Sequence, residues 1–536
     1  MKTSLNWLNR YLASPASYDD VCRLLQDVGL PVETDQSGPV TTSTGTSDIA
    51  FETEITSNRS DCLSHVGLAR EVAAASGGEL NLPDCGLPSA GKETGGSLTS
   101  ATCAEPELCP LYIARVIRNV KVGPSPKWLV DALEAVGLRA VNNIVDITNF
   151  VLLELGQPLH AFDMKRLRGG KIVVRRAKAG EKFLAIDDTK HALTDKMLVI
   201  ADAEVPVAVA GVMGGKDSEV GEDTTDILLE SAMFAPLSVR RTSRALKLKS
   251  DSSYRFERGV DPVCVETASK RAAKLICELA GGTLVEGVIR VGIAPPTPKA
   301  IDMRIARCNA LLGTELTADQ MVGLLGRLGL FPKHDGNGVI TCVVPTFRLD
   351  LEREVDLIEE VARSYGLNNI AKRDRIELVV RPVQPARVAR NKLRDAMVSH
   401  GYHETMTFSF IAEKFGRPFL DKGSDAVIVD HDRCRGEPML RPSLLPSLLA
   451  CRKRNQDVGN ANVKLFELAG TWRREGGAIR EGTRLALVAD VTEPGSRDAA
   501  ASLALRGLRG AVEEMIESVG GSGAPVTSRK RTSSPA

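Results

Sequence analysis

His160 stands in the apolar stretch LLELGQPLHAFD, directly after a proline and a leucine. A metal site would need a second ligand nearby, but no His or Cys lies three or four residues away, and Gly156 and Pro158 disfavour a helix. The preceding element, NNIVDITNFVLLELG, carries polar Asn149 and Asp146 among apolar neighbours. The spacing therefore leaves two roles open for His160, packing in the core or chemistry in a polar-lined pocket.

A second candidate group is a set of four carboxylates. Asp356, Glu359 and Glu360 are spaced i, i+3 and i+4, which places them on one helix face, and Asp350 precedes that helix. Like charges on one face repel, so the group is either solvated or shares a cation. Oxygen ligands of this kind suit Mg²⁺. The spacing does not choose between these alternatives.

The carboxylates belong to a segment that occurs twice. The segment NRSDCLSHVGLAREVAAASG aligns without a gap to FRLDLEREVDLIEEVARSYG, which pairs Arg59 with Arg348 and Asp61 with Asp350. Upstream of each copy, a Ser or Thr with a polar residue three positions later marks a helix N-terminus, in SYDD and TADQ. We predict that the chain contains the same small helical module twice.

Composition limits the class of protein. A chain of 536 residues should form about three or four domains. Its 69 basic and 68 acidic residues nearly cancel, so no overall field attracts nucleic acid or membrane. The 11 cysteines lack a C-x-x-C pair, which indicates free thiols. With no signal peptide and no transmembrane-length apolar run, we expect a soluble cytoplasmic protein.

The middle and end of the chain indicate mixed structure. The segments KIVVRRA, MLVIADA and VPVAVAGVMGG predict strands, and DILLESAMF predicts a strand that turns into a helix. The glycines of GVMGG lack the spacing of a nucleotide-binding loop. Residues 86–108 are rich in Gly, Ser and Thr and predict a linker. Further strands are predicted for AVIVD and VKLFELAG, and the basic tail TSRKRTSSPA predicts disorder.

A series of long motifs, in order, carries a family resemblance. These are MKTSLNWLNRYL, SNRSDCLSHVGLAREVA, NNIVDITNFVLLELGQPLHAFD, AGVMGG, LLESAMF, SSYRFERGVD, FRLDLEREVDLIEEVARSYG and LRPSLLPSLLACRKRN. From residue 1 to about 520 the chain resembles the beta subunit of bacterial phenylalanyl-tRNA synthetase. The resemblance implies an α+β multidomain protein whose parts are a first helical module at 1–85, a linker at 86–108, a mixed α/β editing domain at 109–291, a second, metal-binding module at 297–372, a partial, noncatalytic class II synthetase-like antiparallel sheet domain at 373–520 and a disordered tail at 521–536.

The resemblance also implies a function and partners. The family forms α2β2 tetramers, in which the alpha subunit binds ATP and charges tRNA(Phe), while the beta subunit edits by hydrolysing tyrosine from mischarged tRNA. The implied catalytic residues of the editing pocket are His160, Asn149 and Glu230, and the implied substrate-binding residues are Ser250, Ser252 and Gly214. The implied Mg²⁺ ligands, at the contact with alpha, are Asp350, Asp356, Glu359 and Glu360. In this interpretation the Glu230 carboxylate accepts the phenol proton of tyrosine.

The sequence departs from the family pattern in three places. Only SGPVTTSTGTSD stands where the family usually inserts a tRNA-binding OB-fold, and the chain ends while the synthetase-like domain is still under way, so the anticodon-binding domain is either lost or beyond the sequence given. Ser252 stands where the family commonly has alanine. Two alternative functions therefore stay open: a free-standing deacylase of mischarged tRNA and a noncatalytic nucleic-acid-binding protein.

Overall fold

The computed structural model describes residues 1–91, 93–372, 374–429, 436–490 and 496–520. The chain divides into two compact units, Met1–Asp374 and Arg375–Ala536. No helix in the described parts of the chain is both long enough and apolar enough to cross a membrane.

The first unit begins with a small module of helices on a three-stranded sheet. Its elements are β1 (Lys2–Ser4), α1 (Leu5–Leu8), α2 (Tyr18–Asp27), β2 (Val32–Thr41), β3 (Ser47–Thr53) and α3 (His65–Ser76). The sheet order is β1-β3-β2, and β2 and β3 form an antiparallel hairpin. Ser17 caps α2 by accepting a hydrogen bond from the Asp20 amide, as its spacing predicts.

The central part of the first unit contains two five-stranded sheets. In chain order its elements are α4 (Gly95–Leu98), β4 (Ser100–Cys103), β5 (Leu111–Arg118), α5 (Lys127–Ala135), α6 (Asn143–Leu155), β6 (Leu159–Asp163), β7 (Lys171–Arg176), β8 (Lys182–Leu184), β9 (Lys190–Ala192), β10 (Leu198–Ala201), β11 (Pro206–Val209), β12 (Met213–Gly214), β13 (Ile227–Met233), α7 (Pro236–Leu246), α8 (Asp251–Phe256), α9 (Cys264–Ala280), β14 (Thr283–Leu284) and β15 (Ile289–Gly292). One sheet has the order β14-β5-β13-β6, with β15 also paired to β5, and the other has the order β12-β11-β10-β7-β4.

The first of these sheets separates two hydrophobic cores. Successive residues of a strand face opposite sides. On β13, Ile227 and Leu229 pack in a core shared with α6 and α9, whereas Leu228 packs in a core shared with the second sheet. Residues of β13 with even numbers therefore face the second sheet, and so do Phe162 on β6 and Tyr112 on β5.

A second module follows with the same topology as the first. Its elements are β16 (Ala300–Arg304), α10 (Ile305–Leu312), α11 (Ala318–Arg327), β17 (Lys333–His334), β18 (Val339–Val343) and α12 (Glu354–Tyr365). The sheet order β16-β18-β17 repeats the order β1-β3-β2. In the ungapped alignment of the two segments, α3 and α12 begin and end at matching residues.

The residues shared by the two copies form the same buried ion pairs. Arg59 binds both carboxylate oxygens of Asp61 at 2.9 Å, and Arg348 binds both of Asp350 at 2.9 Å. Arg59 also bonds to Glu71, and Arg348 bonds to Glu360, the residue that aligns with Glu71. Arg363 of the second module bonds to both glutamates and so links the two modules.

The second unit contains two three-stranded sheets with flanking helices. Its described elements are α13 (Pro385–Ser399), β19 (His403–Glu404), β20 (Phe410–Ile411), α14 (Glu413–Gly416), β21 (Val427–Ile428), β22 (Met439–Leu440), α15 (Leu445–Asp457), β23 (Lys464–Glu475), β24 (Ala478–Ala489) and α16 (Arg497–Gly520). One sheet, β20-β22-β21, is antiparallel; in the other, β19-β23-β24, the pair β19–β23 is parallel.

Three local expectations change. The predicted linker 86–108 contains α4 and β4, and β4 pairs in parallel with β7. Part of this Ser- and Thr-rich segment is therefore a strand of a sheet and not a free linker. The segment DILLESAMF is strand to Met233, because its backbone pairs along its length with β5. The synthetase-like sheet is mixed where an antiparallel one is expected, since β19 joins it in parallel. The tail, 521–536, lies outside the described residues.

Candidate functional site

His160 and Glu230 lie opposite each other on neighbouring strands. In the antiparallel pairing of β6 with β13, His160 is the direct partner of Glu230. Directly opposed residues in such a pair have Cβ atoms about 5 Å apart on the same face of the sheet. That face carries Phe162 and Leu228 and points toward the second sheet. Two polar residues 70 positions apart in the sequence are therefore neighbours within an apolar core.

A cavity of about 140 Å³ opens at these two residues. Five of the six residues predicted for the editing pocket line it: His160, Gly214, Glu230, Ser250 and Ser252. Apolar side chains, including Phe234 and Phe256, complete its wall. An engineered protein cavity of about 150 Å³ binds benzene, so the space is of the size that holds one aromatic ring.

The Glu230 carboxyl group is buried and protonated at neutral pH. The residue is only 7% exposed, and its Oε2 accepts a hydrogen bond of 3.0 Å from the Tyr112 hydroxyl. Burial raises the pKa of Glu230 to about 8, although the hydrogen bond from Tyr112 acts in the opposite direction. The acid form, not the expected carboxylate, therefore predominates at pH 7, and this form offers both an O–H donor and acceptor oxygens.

The His160 imidazole is neutral and has a free nitrogen. Burial lowers the pKa of His160 to about 4. Its Nε2 atom is buried without a hydrogen-bond partner among the described residues, and its ring packs edge-on against Phe162, with centroids 4.5 Å apart. A buried polar atom of this kind normally has a partner, so Nε2 is available for a water or a ligand.

Gly214 holds the backbone against the imidazole. A Cβ atom at this position would lie 2.6 Å from Cε1 of His160 and 3.1 Å from Nε2. Only glycine allows the strand β12 to approach the ring this closely. Gly214 therefore fixes the position of His160 through its lack of a side chain.

The two predicted serines differ in what their hydroxyl groups do. Ser250 caps α8: its Oγ accepts a hydrogen bond from the Ser253 amide at 3.0 Å and donates one to the carbonyl oxygen of Val212 at 2.7 Å. It therefore anchors the helix at the cavity wall. The Ser252 hydroxyl, in the same wall, forms no hydrogen bond with a residue that the structure describes, and it is free to contact a ligand.

Asn149 is not among the residues that line this cavity. It lies on α6, whose Ile147 and Phe150 pack in the core on the opposite face of the β5-β13-β6 sheet. The sheet thus stands between α6 and the pair formed by His160 and Glu230. The structure does not support the predicted grouping of Asn149 with these two residues.

Family models match three consecutive parts of the chain. A B3/4 domain matches residues 108–281, a tRNA synthetase B5 domain matches residues 301–367, and a phenylalanyl tRNA synthetase beta chain CLM domain matches residues 374–535. The cavity lies within the first of these segments.

Full-length relatives extend the similarity. The phenylalanine–tRNA ligase beta subunit of Rhodopirellula baltica is 43% identical over 472 residues, which cover 88% of this chain and 68% of that protein. The chain belongs to the phenylalanine–tRNA ligase beta subunit family. The Geobacter sulfurreducens beta subunit is also 43% identical, over 83% of this chain and 56% of that protein, so the chain spans between about half and two thirds of the length of these relatives.

Among solved structures, an N-terminal fragment of the phenylalanyl-tRNA synthetase beta subunit from Pyrococcus horikoshii aligns with 68% of this chain and 99% of its own length. Its TM-score is 0.39 at 15% identity.

The four carboxylates predicted to bind Mg²⁺ differ in their surroundings. Asp350 and Glu360 are both bound by Arg348, and Asp356 accepts hydrogen bonds from the Glu352 and Arg353 amides at the start of α12. Glu359 is exposed. Arg348 offsets the charge of the first two, and magnesium binding by the four carboxylates stays a prediction.

A second group of side chains with the spacing of metal ligands is bound by an arginine. Among the described residues, Asp61, Cys62 and Glu71 place ligand atoms within 4.8 Å of one another. Arg59 donates hydrogen bonds to all three side chains, and Arg363 adds a second positive charge at Glu71. This group is therefore part of the ion-pair network between the modules.

Tyr112 is the functional-site residue that sequence reasoning misses. It lies on β5 in LYIARVIR, where its ring is fully buried and its hydroxyl contacts Glu230. The available signal is the residue type, because a tyrosine in a buried strand needs a polar partner for its hydroxyl. The identity of that partner, 118 residues away, depends on the pairing of β5 with β13.

Proposed function

We propose that this chain acts as the beta subunit of a phenylalanine–tRNA ligase and that the cavity at His160 and Glu230 removes tyrosine from mischarged tRNA(Phe). In this proposal an alpha subunit, in an α2β2 assembly, uses ATP and Mg²⁺ to charge the tRNA. Family membership supports the role as a subunit. The observation that carries the editing role is the ring-sized cavity in which a protonated carboxyl group faces a neutral imidazole.

Recognition of tyrosine depends on Glu230. A phenol hydroxyl that enters the cavity can exchange hydrogen bonds with the Glu230 carboxylic acid, which both donates and accepts. Phenylalanine would bury the O–H group of the acid without an acceptor, since Tyr112 only donates to the other oxygen, at a cost of about 1–3 kcal/mol. A site built to hydrogen-bond a hydroxyl rejects the analogue that lacks it more strongly than an apolar site rejects an extra hydroxyl. The cavity therefore favours hydrolysis of the wrong product and spares the correct one.

Hydrolysis requires a water beside the ester bond. The free Nε2 of His160 can accept a hydrogen bond from that water and hold it against the ester carbonyl. A pKa of about 4 makes the imidazole a weak base at pH 7, so we assign it positioning of the water rather than removal of its proton. Water adds to the carbonyl carbon, the ribose oxygen leaves and takes up a proton, and free tyrosine and uncharged tRNA result.

The test is deacylation of preformed Tyr-tRNA(Phe) and Phe-tRNA(Phe) by the chain in complex with an alpha subunit. We expect the wild type to hydrolyse Tyr-tRNA faster, His160→Ala to slow this reaction, and His191→Ala, a change at a histidine outside the cavity, to leave it unchanged. Equal rates on the two substrates, or an unaffected His160→Ala variant, would refute the proposal. Equal activity of the isolated chain would favour the free-standing deacylase.

A further inference from the structure

A helix beside the cavity and the residues just after it carry a group of exposed basic side chains. From Pro236 to Ser250 the sequence PLSVRRTSRALKLKS contains five basic residues and no acidic one, although the whole chain has a net charge of only +1. The five residues are here called the α7 basic face: Arg240, Arg241 and Arg244 lie on α7, Lys247 caps its C-terminal end, and Lys249 follows. All five are exposed, and none forms a salt bridge or a side-chain hydrogen bond with a residue in the described parts of the chain.

The helix is packed against the wall of the cavity. Val239, on its buried side, belongs to the same core as Phe234 and Phe256 of the cavity wall. A Cβ atom added to Gly211, which also lines the cavity, would lie 3.0 Å from side-chain atoms of all three residues. The opposite, exposed side of α7 therefore lies about one helix diameter, roughly 10 Å, beyond the wall.

The basic face is unfavourable for the isolated helix. Arg240 and Arg244 are spaced i and i+4, and Arg241 and Arg244 are spaced i and i+3, so like charges stand next to each other at a cost of a few tenths of a kcal/mol per pair. Lys247, which ends the helix, has φ 57° and ψ 28°, a left-handed conformation in which glycine is the usual residue. The repulsion between the arginines is not compensated by an anionic partner on the described part of the molecule. An anion from outside would relieve it.

We propose that the α7 basic face binds phosphates of the single-stranded acceptor end of a tRNA whose terminal aminoacyl ester enters the cavity. The inference rests on the proposed editing function, because the ester is carried by the last ribose and its neighbouring phosphates must lie close to the cavity. Arg and Lys are the residues that contact nucleic-acid phosphates, without reading the sequence. The cavity itself supplies no positive charge, since His160 is neutral.

The first test compares two substrates of the complex with an alpha subunit. In the triple variant Arg240→Gln, Arg241→Gln, Arg244→Gln, kcat/KM for Tyr-tRNA should fall by up to about 100-fold at about 0.1 M salt, since each contact to a single strand releases roughly 0.7 counterion. The slope of log kcat/KM against log salt should become shallower by about 2. Hydrolysis of 3′-O-tyrosyl-adenosine, which has no phosphates, should be unchanged. A loss on both substrates would refute the inference.

A matched control removes three other exposed cations. The variant Lys178→Gln, Lys190→Gln, Lys196→Gln changes the net charge by the same amount, at residues that neither line the cavity nor lie on α7. It should leave both reactions unchanged. An equal loss on Tyr-tRNA would show that only overall charge matters, and the α7 basic face would have no specific role.

Direct RNA binding separates this inference from the proposed function. The anisotropy of a labelled RNA with the acceptor end of a tRNA should report binding that weakens in the α7 triple variant, whether or not the RNA carries an amino acid. Should the wild type hydrolyse neither substrate while this binding persists, editing fails and the α7 assignment stands. Should the triple variant bind the RNA as tightly as the wild type, the assignment is wrong.

A single substitution protects the test against loss of folding. Lys247→Gly removes one charge and places glycine in the left-handed position, so the protein should be as stable as the wild type or more stable. RNA binding should weaken about five-fold, as expected for one phosphate contact at about 0.1 M salt. Unchanged RNA affinity in this folded variant would show that Lys247 does not contact the RNA. If the triple variant also bound RNA as tightly as the wild type, the proposal would be overturned.

Discussion

Replacing Glu230 with glutamine tests whether the acid form recognises the substrate. Glutamine has nearly the same shape and keeps one donor group and one acceptor oxygen, as the protonated acid does. Because burial raises the pKa of Glu230 to about 8, Glu230→Gln should retain the preference for Tyr-tRNA over Phe-tRNA at pH 7 within a few-fold. Glu230→Ala removes both hydrogen-bonding functions and should cost about 1–3 kcal/mol, or roughly 5- to 150-fold in the preference.

The same substitution should change the dependence of stability on pH. In the unfolded chain the carboxyl group of Glu230 titrates near 4.5, the ordinary pKa of a glutamate, but in the folded protein its pKa is about 8. Between these values the folded state binds the extra proton, so this group lowers the free energy of unfolding as pH rises from 4.5 to 8. By pH 7 the loss is about 3 kcal/mol. Glu230→Gln avoids this loss, so the variant should be stabilised relative to the wild type at pH 7 but not at about pH 4.5.

Two measurements on the wild type and Glu230→Gln test the protonation of Glu230. They are thermal unfolding at about pH 5 and pH 7.5, and deacylation of both tRNA substrates at pH 7. A Glu230→Gln variant that gains no stability at the higher pH would show that Glu230 is ionised in the folded protein. Loss of the tyrosine preference in this variant, with full activity otherwise, would show that a carboxylate is required. If Glu230→Ala keeps the preference undiminished, Glu230 has no part in recognition.

Three further outcomes are expected. Gly214→Ala should slow Tyr-tRNA deacylation at least ten-fold, because the new methyl group would lie only 2.6 Å from the imidazole and would displace the ring. A normal rate would show that the ring position is unimportant. Arg363→Met should destabilise the first unit by about 3–5 kcal/mol, since it leaves two buried glutamates short of a partner, whereas Arg353→Met at the surface should change the melting temperature little. Asp356→Asn with Glu359→Gln should abolish any Mg²⁺ dependence of assembly with an alpha subunit, and calorimetry showing unchanged Mg²⁺ affinity would reject these ligands.

The repeated module could be predicted from the sequence because its signals are local. Capping residues and the ungapped alignment locate helix ends within a few residues, and the structure places α3 and α12 at matching positions. What the pattern could not show was the use of the carboxylates. Glu360 has the spacing of a ligand on a helix face, but Arg348 and Arg363 bind it, and the latter also reaches Glu71 of the other copy. Only tertiary packing brings these groups together.

The candidate site depends on pairing between distant strands. The resemblance implied that His160 and Glu230 share a pocket, and the register of β6 against β13 makes them direct neighbours. The same register explains why Asn149 does not line the cavity. Its position on α6 just before β6 suggests proximity to His160, yet a strand alternates its faces, and α6 packs on the face that His160 does not occupy.

The separation of charge between the cavity and α7 follows from the chemistry that each must perform. A positive charge beside Glu230 would favour its carboxylate and lower its pKa, which would remove the acid donor from the ring-sized cavity. An RNA substrate nevertheless brings a phosphate with every nucleotide, and these charges need cations. The position of the three arginines meets both requirements. Arg240, Arg241 and Arg244 lie on the far side of α7, whose inner side packs against the cavity wall. A distance of roughly 10 Å and exposure to solvent therefore weaken the effect of their charges on Glu230. An arginine introduced inside the cavity, as in Ser252→Arg, should therefore lower the pKa of Glu230, and a thermal unfolding profile that still lost stability between about pH 4.5 and 8 as the wild type does would contradict this account.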